Sequence, residues 1–121
     1  MTQDDVREPA PLNLRYRVGP SGEVVVDLGG ELDIVSAETA VSYVRAVIDH
    51  CGGPVVVDLT ALAFCDARGL GALLRMAGCA ERAGCPFALA SPRPSLLKLM
   101  RITGLDGKFL ISGICPADCL S

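Results

Sequence analysis

Val55-Val56-Val57-Asp58-Leu59-Thr60-Ala61-Leu62-Ala63-Phe64-Cys65-Asp66-Ala67-Arg68-Gly69-Leu70-Gly71-Ala72-Leu73-Leu74 is the stretch that decides the fold. It opens on a β-branched run, the mark of a buried strand. It closes with Leu70, Leu73, Leu74 and Ala77 at helical spacing, which makes an apolar helix face. Between the two lie a polar break at Asp58 and Thr60 and then Phe64 to Gly69. Asp66 stands where the helix should begin, and its carboxylate can accept the free N–H groups of the first turn. A strand feeding a helix through a short loop is half of a βαβ unit, and such junctions tend to carry sites.

Upstream, Leu12, Leu14, Tyr16 and Val18 alternate with polar residues and predict a half-exposed strand. Gly19-Pro20-Ser21-Gly22 is a turn signal, so the Val-rich strand Glu23 to Leu28 should pair with the first as a hairpin. Gly29-Gly30-Glu31-Leu32-Asp33 reads as a bend, with Asp33 or Ser36 capping the next helix. That helix carries Ala40, Val44, Val47 and Ile48 as one stripe and stops at Cys51-Gly52-Gly53-Pro54.

Downstream, the helix from Arg68 should reach about Ala83. Its predicted core face is Leu70, Leu73, Leu74 and Ala77; Arg68, Ala72, Arg75, Cys79 and Arg82 should lie on the opposite face. Cys85 to Ala90 reads as a short buried strand. A helix opened by Pro94 follows, with Leu96, Leu99, Met100 and Thr103. Phe109-Leu110-Ile111 suits a last strand, and a helical turn should start at Pro116. The expected core holds Val26, Leu28, Val56, Leu59, Leu70, Leu73, Leu74, Leu89 and Met100.

The chain has 121 residues, which suits one domain, and half of them are hydrophobic, enough for a core without staples. Residues 1–11 are polar and proline-bearing and read as a mobile tail ahead of a domain over 12–121. A net charge of −3 argues against nucleic acid as a partner. With no membrane-length apolar run and no signal-peptide pattern, a cytoplasmic location is expected. The cysteines are Cys51, Cys65, Cys79, Cys85, Cys115 and Cys119. They form no C-x-x-C pair and have one histidine, His50, for company, so no metal and no cofactor are expected. Thiols used as small core residues are the plainer reading. A catalytic triad or Cys/His pair would need a histidine beside a nucleophile, and His50 is the single candidate. No phosphate-binding glycine loop of the P-loop type is present. Catalysis is therefore not expected.

Asp58-Leu59-Thr60, followed by Asp66-Ala67-Arg68-Gly69-Leu70-Gly71, resembles the signature of the STAS domain, the family of anti-sigma factor antagonists and of cytoplasmic domains of sulfate transporters. Gly30-Glu31-Leu32-Asp33, after the second strand, resembles a second signature of that family, and Thr103-Gly104-Leu105-Asp106 resembles the end of its third helix. The resemblance spans about residues 12–112. It implies an α/β fold with a four- to five-stranded mixed β-sheet and helices mainly on one face.

The resemblance also implies partner switching. In the family, the unphosphorylated antagonist binds a GHKL-type kinase that doubles as an anti-sigma factor, and a sigma factor is released. The kinase phosphorylates the serine after the aspartate, and the added charge breaks the complex. That residue here is Ala67, followed by Arg68. Carried over residue by residue, the partner-binding surface is Glu31, Asp33, Thr60, Asp66, Ala67, Arg68 and the following helix face with Ala72 and Arg75. Thr60 and Ser36 are substitute phosphoacceptor candidates, set against turn and capping roles. Cys65, Cys79, Cys115 and Cys119 are candidates for redox control, set against inert thiols. Two other functions fit the resemblance: an accessory subunit of a lipid or solute transporter, clamped to an ATPase, and a small-ligand-sensing module at the Asp33–Asp66 end.

Overall fold

The computed structural model describes residues 11–112. The expected tail, apart from Pro11, lies outside the described residues, as do Cys115, Cys119 and the expected helical turn at Pro116.

The hairpin forms as read. β1 (Asn13–Val18) pairs antiparallel with β2 (Val24–Leu32), with Tyr16 opposite Val26. β3 (Val55–Asp58) and β5 (Phe87–Ala90) extend the sheet in parallel, and the two-residue β6 (Ile111–Ser112) closes it in the order β1-β2-β3-β5-β6. α1 (Ala37–Cys51), α2 (Ala67–Arg82) and α3 (Pro94–Ile102) are the connections between parallel strands. The strands advance in one direction across the sheet, and right-handed crossovers place all three helices on one face. Alternation along β3 agrees: Val55 and Val57 are buried under the helices, while Val56 and Asp58 are half-buried on the open face. On that open face the Arg17 guanidinium reaches two neighbouring strands. Its Nε donates to Asp27 Oδ2 at 3.1 Å and its Nη2 to Asp58 Oδ2 at 3.3 Å.

β4 (Leu62–Cys65) goes beyond the sequence reading, which passed from β3 straight into a loop. It pairs in parallel with the far end of β2, Leu32 opposite Cys65. β2 therefore has two partners in succession, β3 along Val24 to Asp27 and β4 along Gly30 to Leu32. The change of partner occurs at a bulge beside Gly30, whose φ of 85° is open to glycine at little cost. A side chain there would also strike the Pro11 carbonyl.

The core is aliphatic. Val26, Leu28, Leu59, Leu70, Leu73, Leu89 and Met100 are buried as expected. Two expectations need correction: Val56 and Leu74 are only half-buried. Val56 points to the open sheet face. Leu74 lies at the margin of a helix face turned further round than the leucine spacing suggested. α2 packs against both the sheet and α1, so its buried arc runs from Leu70 and Leu73 through Met76 to Ala72 and Cys79.

Candidate functional site

The parallel strands β2, β3 and β4 all end at one edge of the sheet, where helix-bearing folds of this kind place their sites. Three aspartates stand at those ends, Asp58 as the last residue of β3 and Asp33 and Asp66 just past β2 and β4, and each closes a turn. Asp33 Oδ1 accepts the Val35 N–H at 3.0 Å and the Ser36 N–H at 3.1 Å. The Ser36 backbone bond is the main cause that holds the Asp33 carboxyl below its ordinary value. Asp58 Oδ1 accepts the Thr60 N–H at 2.9 Å and the Thr60 hydroxyl at 2.6 Å. Asp66 Oδ1 accepts the Gly69 N–H at 2.9 Å and caps α2. Asp33 and Asp66 thus bond within their own loops, while Asp58 closes its turn through Oδ1 and accepts Arg17 through Oδ2.

Ser36 occupies the position before α1, but its hydroxyl makes no capping bond. It points back instead, accepting the Asp33 N–H at 3.1 Å and within bonding distance of the Glu31 carbonyl at 2.9 Å. The bend after β2 is therefore held by Asp33 and Ser36 together. Glu31 is half-buried within β2, opposite Phe64.

Ala67 and Arg68 form the first turn of α2, and both are exposed. Of the expected surface, this edge brings together Glu31, Asp33, Thr60, Asp66, Ala67 and Arg68. Arg75 lies two turns further along α2, exposed, with its Nη1 donating to Glu38 Oε2 on α1 at 2.7 Å. That bond holds the Glu38 carboxyl below its ordinary value. The expected exposure of Ala72 and Cys79 is overturned: Ala72 is 1% exposed and Cys79 9%, both in the core cluster. Their small side chains let α1 and α2 come close, so Ala72 is not available to a partner.

Two features of this edge were missed from sequence. Gly69 meets the end of β2 so closely that a Cβ would strike the Leu32 carbonyl and come within 2.9 Å of Cys65 Sγ. The edge also carries exposed apolar side chains: Val35 at 85%, Ile34 at 58% and Phe64 at 49%. Ile34-Val35 inside an otherwise polar bend was the signal for these. Among the described residues no cluster of metal-ligating side chains forms, and no helix is long and apolar enough to cross a membrane.

A family model described as "Mlab, STAS domain" matches residues 18–112. The chain belongs to the STAS domain family. Its structure is similar to that of an anti-sigma factor antagonist from Mycobacterium paratuberculosis, at 27% identity and a TM-score of 0.73, covering 95% of this chain and 96% of that one. It also resembles the phosphorylated form of SpoIIAA, a Bacillus cell fate determinant, at 21% identity and a TM-score of 0.63, over 89% of this chain and 96% of that one. A third similar structure is a Ser-to-Glu variant of RsbS from Moorella thermoacetica, at 23% identity and a TM-score of 0.67, over 82% and 85% of the two chains. The latter two likenesses show the fold alone. No curated protein matches the chain.

In this STAS domain the thiol of Cys65 is half-buried beneath the first turn of α2. Burial, aided by the Asp66 charge, pushes it up to about 12 from an ordinary 9.0. Such a group stays a thiol at neutral pH, which works against the redox role considered for it. Cys79 is closed off by the α1–α2 packing.

Proposed function

We propose that this STAS domain is an anti-sigma factor antagonist that binds a kinase-type, GHKL-fold anti-sigma factor and thereby releases a sigma factor. Its binding surface is the edge that carries Glu31, Asp33, Thr60, Asp66, Ala67 and Arg68, continued along α2 by Arg75. The observation that carries the reading is the exposed Ala67–Arg68 step directly after the capping Asp66. By the family resemblance it stands where the phosphoserine is kept. The likeness to an antagonist at 27% identity supports the same role.

Ala67 has no hydroxyl and presents the small, uncharged surface of a dephosphorylated antagonist. The domain is thus competent to bind without prior dephosphorylation. Ser36 and Thr60 are weak substitutes, because the hydroxyl of each is engaged in its own turn. The test is binding to the kinase-type anti-sigma factors of the source bacterium, with and without ATP. Binding should occur and survive ATP, and intact mass should show no added phosphate. Stoichiometric phosphate on Thr60 or Ser36, with loss of binding, would falsify the constitutive reading.

Ala67 also favours a second reading, since a transporter's accessory subunit needs no phosphate switch. In that case the chain would bind the ATPase subunit of a lipid or solute transporter and none of the anti-sigma factors.

A further inference from the structure

The outer side of α2, where Ala67 is exposed and Gly71, Leu74 and Gly78 are half-buried at the margin of the core, has a seven-residue order. Ala67, Gly71, Leu74 and Gly78 follow one another at steps of four, three and four, the spacing of a coiled-coil seam. Arg68, Arg75 and Arg82 run beside them, seven residues apart, at the flanking position that pairs charge between helices. Over two turns this places a guanidinium about every 10.5 Å along the axis.

The glycines are the informative part. Neither has a positive φ, so neither is needed for a turn. A Cβ at Gly71 would meet nothing, and one at Gly78 would meet only the Arg82 guanidinium at 3.4 Å. Glycine inside an exposed helix weakens it relative to alanine. What the two glycines leave is open space on either side of the half-buried Leu74. The space at Gly78 is walled by Val41 and Arg45 of α1 and by Arg75 and Arg82.

The charge around the seam is specific too. The chain carries a net charge of −3, yet this flank is basic. Among the described residues, no carboxylate lies within ion-pair distance of Arg45, Arg68 or Arg82; Arg75 is paired with Glu38, whose charge Arg45 also feels. A second copy of the chain is a poor occupant, because α2 laid on α2 supplies only Glu81 against this row of arginines.

We infer that α2 docks an amphipathic helix of the partner, with apolar side chains seated over Gly71 and Gly78 and carboxylates at seven-residue spacing against Arg68, Arg75 and Arg82. This rests on the partner-binding reading above and specifies the element of the partner that α2 meets.

Two probes separate the inference from that reading. The first is the anti-sigma factor, with the variant Gly71→Leu/Gly78→Leu and the triple variant Arg68→Glu/Arg75→Glu/Arg82→Glu. The leucines should leave the fold intact or firmer, read from thermal melting, yet cut affinity at least 30-fold. The triple variant should lose at least 100-fold. Unchanged affinity of the double-leucine variant, with wild-type binding present, overturns the seam and leaves the function standing. Absence of wild-type binding overturns the function, and the second probe then decides the seam alone. That probe is a 28-residue synthetic helix with leucine at its seam positions and glutamate at each flanking position, compared with its lysine counterpart. The glutamate helix should bind the whole chain at least ten-fold more tightly, and this preference should vanish in the triple variant. Equal binding of the two peptides overturns the inference. So does concentration-dependent self-association abolished by the leucines, which would make a second copy the occupant.

Discussion

Gly69 and the Leu32 carbonyl are in such close approach that α2 begins directly against the end of β2, with no room for a side chain between them. The first turn of the helix is thereby fixed to the sheet by backbone, and the exposed Ala67–Arg68 step inherits that position. Gly69→Ala forces a Cβ against backbone and against Cys65 Sγ, neither of which can yield cheaply. The expected loss of stability is about 1–3 kcal/mol, the range for overpacking, measured by urea unfolding. An unchanged midpoint would show that the two elements separate without cost.

Removal of the cap is a milder change. Asp66→Ala leaves the Gly69 N–H without its acceptor and should cost about 1 kcal/mol. Asp66→Asn should recover most of it, since asparagine caps nearly as well. A difference between Asn and Ala that appears in partner affinity but not in unfolding would assign Asp66 to the contact itself.

At the motif position, Ala67→Ser should create a phosphoacceptor for a kinase that still recognises the loop, detected as one added phosphate by intact mass. Ala67→Asp should weaken binding at least ten-fold, about 1.4 kcal/mol, because it adds charge to a surface that has none there. Binding that tolerates Asp at Ala67 would move the contact away from this turn.

The Cys65 thiol makes a prediction about pH. Its folded value lies near 12, above the ordinary 9.0, so the folded state holds the proton more tightly. Stability from this group is complete below pH 9 and is lost as pH rises from 9 towards 12. Cys65→Ser should flatten that alkaline decline. At pH 8 the folded chain should alkylate at Cys65 at least a hundred-fold more slowly than the urea-unfolded chain, followed by peptide mass spectrometry.

Much of this architecture was legible in the sequence. Period-two alternation placed β1, the valine run placed β3, and Asp66 was read as the cap it is. β4 was not legible, because Leu62 to Cys65 is four residues long and shows no clean alternation. Its strand character comes from the end of β2, which reaches past Gly30 to meet it. The faces of α2 were misjudged for a related reason. Leucine spacing reports contact with the sheet, whereas contact with α1 selects small residues such as Ala72 and Cys79. Those carry little hydrophobic signal although they are well buried. At the site, the turn-closing aspartates could be read one by one, because each bonds within a few residues of itself. Val35 and Ile34 escaped notice because their exposure is visible only in the folded chain.

A serine at the start of α2 could keep a record. Once phosphorylated, it would stay marked after the signal had gone, until another enzyme erased it. Ala67 keeps none. In the proposed role, each encounter with the partner begins afresh, and the lifetime of the complex is set by its dissociation rate alone. The output then follows the ratio of the two proteins present at that moment and resets as quickly as they part.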